Sequence, residues 1–202
     1  TVQIDKLVAS RLAAMGTDQV AALETVDVAL MTTDQIRGLT ETQVAAMTSD
    51  QVVALNTAQL PNMIDAQVAA FTTDQVGAIE TRDLVLMGAS QISAMTTAQI
   101  ANLGTAQIAA MTTDHAVALL EEQLAALGTD QVQALTTAQA STLTAVRLSG
   151  MGTDQVAAIE TRDLALMTTD QIGALTATQV AGMGTDQISA LTAAHAAVLQ
   201  DD

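Results

Sequence analysis

The stretch MGTDQVAA occupies residues 15–22 and returns unchanged at 151–158, and its length of eight is the period of the whole chain. Stepping by eight from Leu7, the frame runs without insertion or deletion through Leu199. The opening residues TVQIDK fit the tail of one further octad. Counting octad positions one to eight from that Leu, position one is Leu or Met, with Phe71, Ile79 and Ile159 as exceptions. Position three is usually Thr, as in Thr17, Thr33, Thr73, Thr113, Thr153 and Thr185, and position five is usually Gln. Position six is Val, Ile or Leu except at Ala116, Ala140 and Ala196, and position eight is mostly Ala.

Read as a strand, alternate positions one, three and five give Leu, Thr and Gln on one face, which is no core. Read as a helix, position six and the next position one fall on one side with position five flanking them, so the apolar pairs line up. Ala, Gln, Leu and Met are good helix formers, and Thr at position three suits the helix start, where its hydroxyl accepts from a free backbone N–H. Position four then becomes the first helical residue. Where position two is Thr, the TxxQ spacing also fits a capping box, which places the start one residue earlier. Gly16, Gly88, Gly104, Gly128, Gly152 and Gly184, all at position two, are expected to end the preceding helix in a left-handed conformation. Each octad is thus a helix of about six residues and a sharp turn. Such a helix is unstable alone, because nucleation costs more than a single turn returns. Units that cannot bury their apolar face singly stack into a continuous core, so the expectation is an all-α solenoid of very short helices. The alternative is a β-solenoid with Thr-rich corners. One tandem-repeat domain spans 1–202, expected to be part of a longer chain.

A longer period overlies the octad. Octads beginning at 31, 71, 111 and 151 carry Asp34, Asp74, Asp114 and Asp154 at position four, and the octads that follow bring Glu41, Glu80, Glu121 with Glu122, and Glu160. The block is five octads, forty residues, repeated four times from 31 to 190. In a solenoid of helical hairpins, duplicating an odd number of units would exchange inner and outer helices. Equivalent steps of a single spiral are therefore expected, with five octads as a candidate turn. Residues 15–36 match 151–172 across seventeen octads, so local copying has blurred the block. Pro61, the sole proline, falls at position seven, where a helix loses a bond or kinks, and a local irregularity is expected there.

Composition narrows function further. The 202 residues are half hydrophobic with Phe71 the only aromatic and no Cys, so there is no disulfide framework, thiolate site or thiol nucleophile. The net charge of -16 leaves Lys6, Arg11, Arg37, Arg82, Arg147 and Arg162 as the only basic residues besides His. That balance repels phosphate backbones, and aromatic platforms for bases are missing, so nucleic acid is a poor partner. No apolar run is long enough to span a bilayer, and membrane insertion is not expected.

His115 and His195, the only histidines, each replace Gln at position five and lie eighty residues apart, which speaks for polar substitutes in a Gln column rather than a shared metal site. The Gln column itself, including Gln19, Gln35, Gln51, Gln75, Gln131, Gln155 and Gln171, is expected to bridge backbone of adjacent units or to stack as a ladder. Asp at position four sits by the positive end of the helix dipole. A calcium role for these aligned acids is the sharper alternative, though no DxDxDG loop or GGxGxDxxx nonapeptide is present. The Thr rows suggest a hydroxyl array facing ice, sugar or another solenoid, but capping already accounts for them. No catalytic, cofactor-binding or metal residue is assigned, and no cofactor is expected unless it is Ca2+.

Met167 to Gln171, reading MTTDQ, and ALETV at 22–26 look superficially like fragments of transcription activator-like effector repeats, whose much longer period and basic DNA-facing surface are missing here. As a whole the chain resembles the Ala/Thr/Gln-rich tandem tracts of very large bacterial secreted or surface proteins. That resemblance implies a bacterial origin and an extracellular or cell-surface setting, and carries over no functional residues. The expected function is a non-enzymatic spacer or scaffold, self-associating end to end or holding a protein partner. The alternative is a protein-, glycan- or Ca2+-binding repeat module.

Overall fold

In the computed structural model, which describes residues 8–199, each described octad except 55–62 forms one helical turn whose first residue is position three. Position two is the N-cap. Thr at this position, as in Thr32, Thr40, Thr48 and Thr168, accepts from the backbone N–H of position five, while the position-five Gln Oε1 accepts from the N–H of position two. This reciprocal pair is a capping box and satisfies two of the donors that a helix start leaves free. The cap therefore lies at position two and not at position three, whose Thr is the first helical residue. Asp at position four, as in Asp34 and Asp154, is the second helical residue, still within the first turn and exposed.

The glycines at position two behave differently from the expectation. Gly16, Gly128 and Gly152 have φ of -70°, -73° and -67° with ψ near 160°, an extended conformation, and no described residue has a positive φ. They are N-caps of the next helix, not left-handed ends of the last. Because linker and helix together span only eight residues, the residue that ends one turn also starts the next. The following helix decides its conformation.

Among the described residues the regular elements are α-helices of four to six residues and one 3-10 turn, and none is a strand. The architecture is an all-α solenoid. The 3-10 turn, Leu60–Asn62, contains Pro61 and replaces the α-helix of its octad, the irregularity that proline dictates.

The chain forms two compact units that divide between Met111 and Thr112. In the first, Thr17–Ala21 packs on Glu41–Ala46 and Ser49–Val53 on Thr73–Ala78. In the second, Thr129–Gln133 packs on Thr153–Ala158 and Thr161–Leu166 on Thr185–Ala190. Every one of these contacts joins an octad to the third octad after it, so within each unit the octads are equivalent steps of a coil. The turn is shorter than five octads: the forty-residue block is a period of the sequence and not of the spiral. Successive coils approach closely. A Cβ on Gly182 would lie 2.2 Å from the Thr153 side chain in the second unit, and one on Gly38 would lie 2.6 Å from the Ala9 Cβ in the first.

Burial repeats with the octad. In the octad beginning at Met31, positions one, five and six are buried as Met31, Gln35 and Ile36, while positions two, four and seven are exposed. Positions one and six build the apolar core, each side chain contributing about 1.5–3 kcal/mol on burial. Position five brings a polar residue inside the same core.

Candidate functional site

Among the described residues, the buried polar side chains gather in the position-five column. Gln155 shows its construction. Its Oε1 accepts from the N–H of Gly152 at 2.8 Å, capping its own helix, while its Nε2 donates to the carbonyls of Leu124 at 3.0 Å and Leu127 at 2.7 Å. Leu124 lies in the last turn of a helix one coil earlier and also accepts from the Leu127 N–H at 3.2 Å, and Leu127 follows just past that helix, at the end where the last C=O groups have no α-helical donor. One amide thus joins the start of one helix to the end of another. The bond offsets of 31 and 28 residues recur throughout: Gln51 to Val20 and Leu23, Gln67 to Ile36 and Leu39, and Gln179 to Leu148 and Met151. The Gln side chains bridge the backbone of neighbouring coils, one of the two arrangements expected of them, and do not stack amide on amide in these bonds.

His195 fills the same role with a ring. The N–H of Thr192 donates to Nδ1 at 3.3 Å, and Nε2 lies 2.9 Å from the carbonyl oxygen of Met167. A carbonyl can only accept, so the proton sits on Nε2 and the imidazole reproduces the acceptor-and-donor order of the amide. His115 takes the N–H of Thr112 on Nδ1 in the same way. His195→Gln is expected to leave the melting temperature within about 2 °C, since a conservative swap that keeps both bonds has little to lose; a thermal melt followed by circular dichroism checks this.

The octad frame also places residues in this column that reading for Gln alone passes over. Arg147 lies there, half-buried, and donates from its guanidinium to the carbonyl of Leu119, the acceptor a Gln would use. Burial pushes the Arg147 pKa down from its ordinary value, against the opposing pull of the Glu121 charge. Asp27, Asp83 and Asp163 occupy the column too, all buried. They belong to a variant octad, LETVDVAL at 23–30, IETRDLVL at 79–86 and IETRDLAL at 159–166, with Glu at the cap. Carboxylates have no donor for a carbonyl, so these residues cannot make the bridge, and Asp83 and Asp163 lie beside arginines instead. Arg162 pairs with Glu160 at 2.5 Å and lies 3.6 Å from Asp163, and Asp163 Oδ1 accepts from the Thr137 hydroxyl at 2.6 Å. Arg82 pairs with Glu80 and lies 3.5 Å from Asp83.

No described group of three or more His, Asp or Glu side chains is arranged to hold a metal ion. The position-four acids Asp18, Asp50, Asp130, Asp170 and Asp186 stand exposed along the helix starts. His115 and His195 are each held in their own capping box. Among the described residues, no helix is long and apolar enough to cross a membrane.

A family model describing the ALTTAQ repeat matches residues 20–57, 76–113 and 156–193, together more than half of the chain. The chain belongs to the ALTTAQ repeat family. Each matched ALTTAQ stretch begins at octad position six and ends at position three, so it holds just under five octads. The second and third begin eighty residues apart, two of the forty-residue blocks. The first and second begin fifty-six residues apart, seven octads, so the family unit keeps the octad frame throughout but follows the forty-residue block only between the second and third. No curated protein matches the chain.

Proposed function

We propose that this ALTTAQ repeat chain is a non-catalytic spacer or scaffold within a larger secreted or surface protein. The observation that carries the reading is the fate of the polar column. The side chains best suited to chemistry, His115, His195, Arg147 and the buried Asp residues, sit among the Gln bridges that hold coil to coil, and His195 and Arg147 spend their polar atoms there. Facing outward are the Asp residues of position four, with Ala, Thr and scattered apolar side chains such as Leu30, Val117 and Leu166 around them, and the acidic groups suit solubility and repel anionic partners.

Light scattering across a hundredfold concentration range tests the spacer against a self-associating scaffold: a constant monomer mass supports the spacer, and a mass that rises with concentration supports the scaffold. A calcium-binding module would behave differently from either. An ion bound to the folded chain at a hundred times its dissociation constant adds about 2.7 kcal/mol of stability. The expected result is that millimolar CaCl2 and EDTA give the same melting temperature; a rise in calcium that EDTA reverses would replace the spacer with a binding role.

A further inference from the structure

Two nearly identical octads, IETRDLVL at 79–86 and IETRDLAL at 159–166, form helices of four and six residues, Thr81–Leu84 and Thr161–Leu166, and differ in a bond to the octad beneath. In the second unit, Asp163 rests on the helix Thr137–Ala140 and accepts from Thr137, twenty-six residues earlier. The same offset from Asp83 in the first unit leads to Thr57. Here the bond is missing: Asp83 Oδ1 is buried without a hydrogen-bond partner, and Thr57 is exposed where Thr137 is half-buried. The arginine pairings of the two octads are alike, so they do not account for the difference. The octad underneath does. Residues 55–62 contain Pro61, and a turn with the 3-10 segment Leu60–Asn62 stands where Thr137 has an α-helix.

We infer that the seam between the helix Thr81–Leu84 and the Pro61 octad is a built-in weak joint, at which the first unit opens locally before it unfolds. A buried carboxylate oxygen left without a donor lowers the stability of the contact that buries it. The coil contact here lacks the Gln bridge of an ordinary octad and also the Thr–Asp bond that replaces it in the sister octad. Solenoid stability is a sum of local interfaces, so one poor interface opens without the rest. Opening uncovers Leu60, Leu84 and Gln59, each almost fully buried when the seam is shut. The joint stands whether or not the chain serves as a spacer; in a spacer it is where the coil yields first.

Native-state hydrogen exchange on the whole chain reads the joint directly. The amides of Leu84 and Met87 are expected to exchange about tenfold faster than those of Leu164 and Met167, which make the equivalent helical bonds. Pro61→Ala is expected to slow Leu84 and Met87 to the rates of their counterparts, and adding Thr57→Val to it is expected to cancel that gain. Thr137→Val is expected to speed Leu164 and Met167 by a similar factor. Equal rates at the two seams in the unaltered chain, or a Pro61→Ala chain whose seam exchanges as before, would overturn the inference.

Discussion

Deleting residues 167–174, one complete octad, is expected to leave a folded chain with a cooperative melt, whereas deleting 167–170 is expected to unravel everything that follows. Both follow from the equivalence of the octads. After the eight-residue deletion, Gln179 no longer meets the carbonyls of Leu148 and Met151, its partners at offsets of 31 and 28. It arrives instead over Ala140 and Leu143, which hold the same octad positions; Gln171 already uses the Leu143 carbonyl at 2.6 Å. Core, cap and bridge are all regenerated by the next octad along. The four-residue deletion moves Gln179 into a position-one site, Leu175 into the amide column and Val180 to the exposed cap. Each displaced octad then loses burial of its position-six side chain, at about 1.5–3 kcal/mol, sets Gln in the apolar position-one site, and loses its bridge as well. Circular dichroism and thermal melts of the two deletions decide the matter. If single-octad deletion unfolds the chain while a two-octad deletion is tolerated, the helices fall into two alternating classes and the single-spiral reading fails.

The eight-residue quantum was legible in the sequence because it is written in local chemistry: apolar residues at positions one and six, a TxxQ cap, and one proline where a helix cannot run. The coil was not. Which octad lands on which depends on the angle between successive helices, and no single residue encodes that angle. The forty-residue block therefore offered five octads as a turn, where Gln155 instead reaches back 28 and 31 residues. The position-two glycines misled for a related reason. With so short a linker, the same residue satisfies the description of a helix end and a helix start, and only its extended φ and ψ separate the two. Of the polar column, Gln, His115 and His195 could be read from the frame. That Asp163 would lean on Thr137, and that Asp83 would be denied Thr57, required knowing the coil offset first.

The polar column is also where a single substitution is expected to do most harm. Gln155→Ala removes the acceptor for the Gly152 N–H and the donor for the Leu124 and Leu127 carbonyls in one step. The Leu124 carbonyl keeps the Leu127 N–H, so the groups that lose their bond are the Gly152 N–H and the Leu127 carbonyl, at about 1–3 kcal/mol for each that water cannot reach. The expected fall in melting temperature is about 5–10 °C for a chain of this size. Gln155→Glu should be worse than Ala at neutral pH. It keeps the acceptor for Gly152, yet it sets a carboxylate against two carbonyl oxygens and buries a charge with nothing opposite it. Asp163 tolerates its charge because Arg162 and the Thr137 hydroxyl stand beside it, and position four beside Gln155 is Asp154. Gln155→His should come closest to the parent, as His195 shows an imidazole making both bonds. The order of melting temperatures is thus Gln, His, Ala, Glu. If Glu instead matches Gln, donation to the earlier coil contributes nothing to stability. The column would then be a set of helix caps rather than the tie between coils.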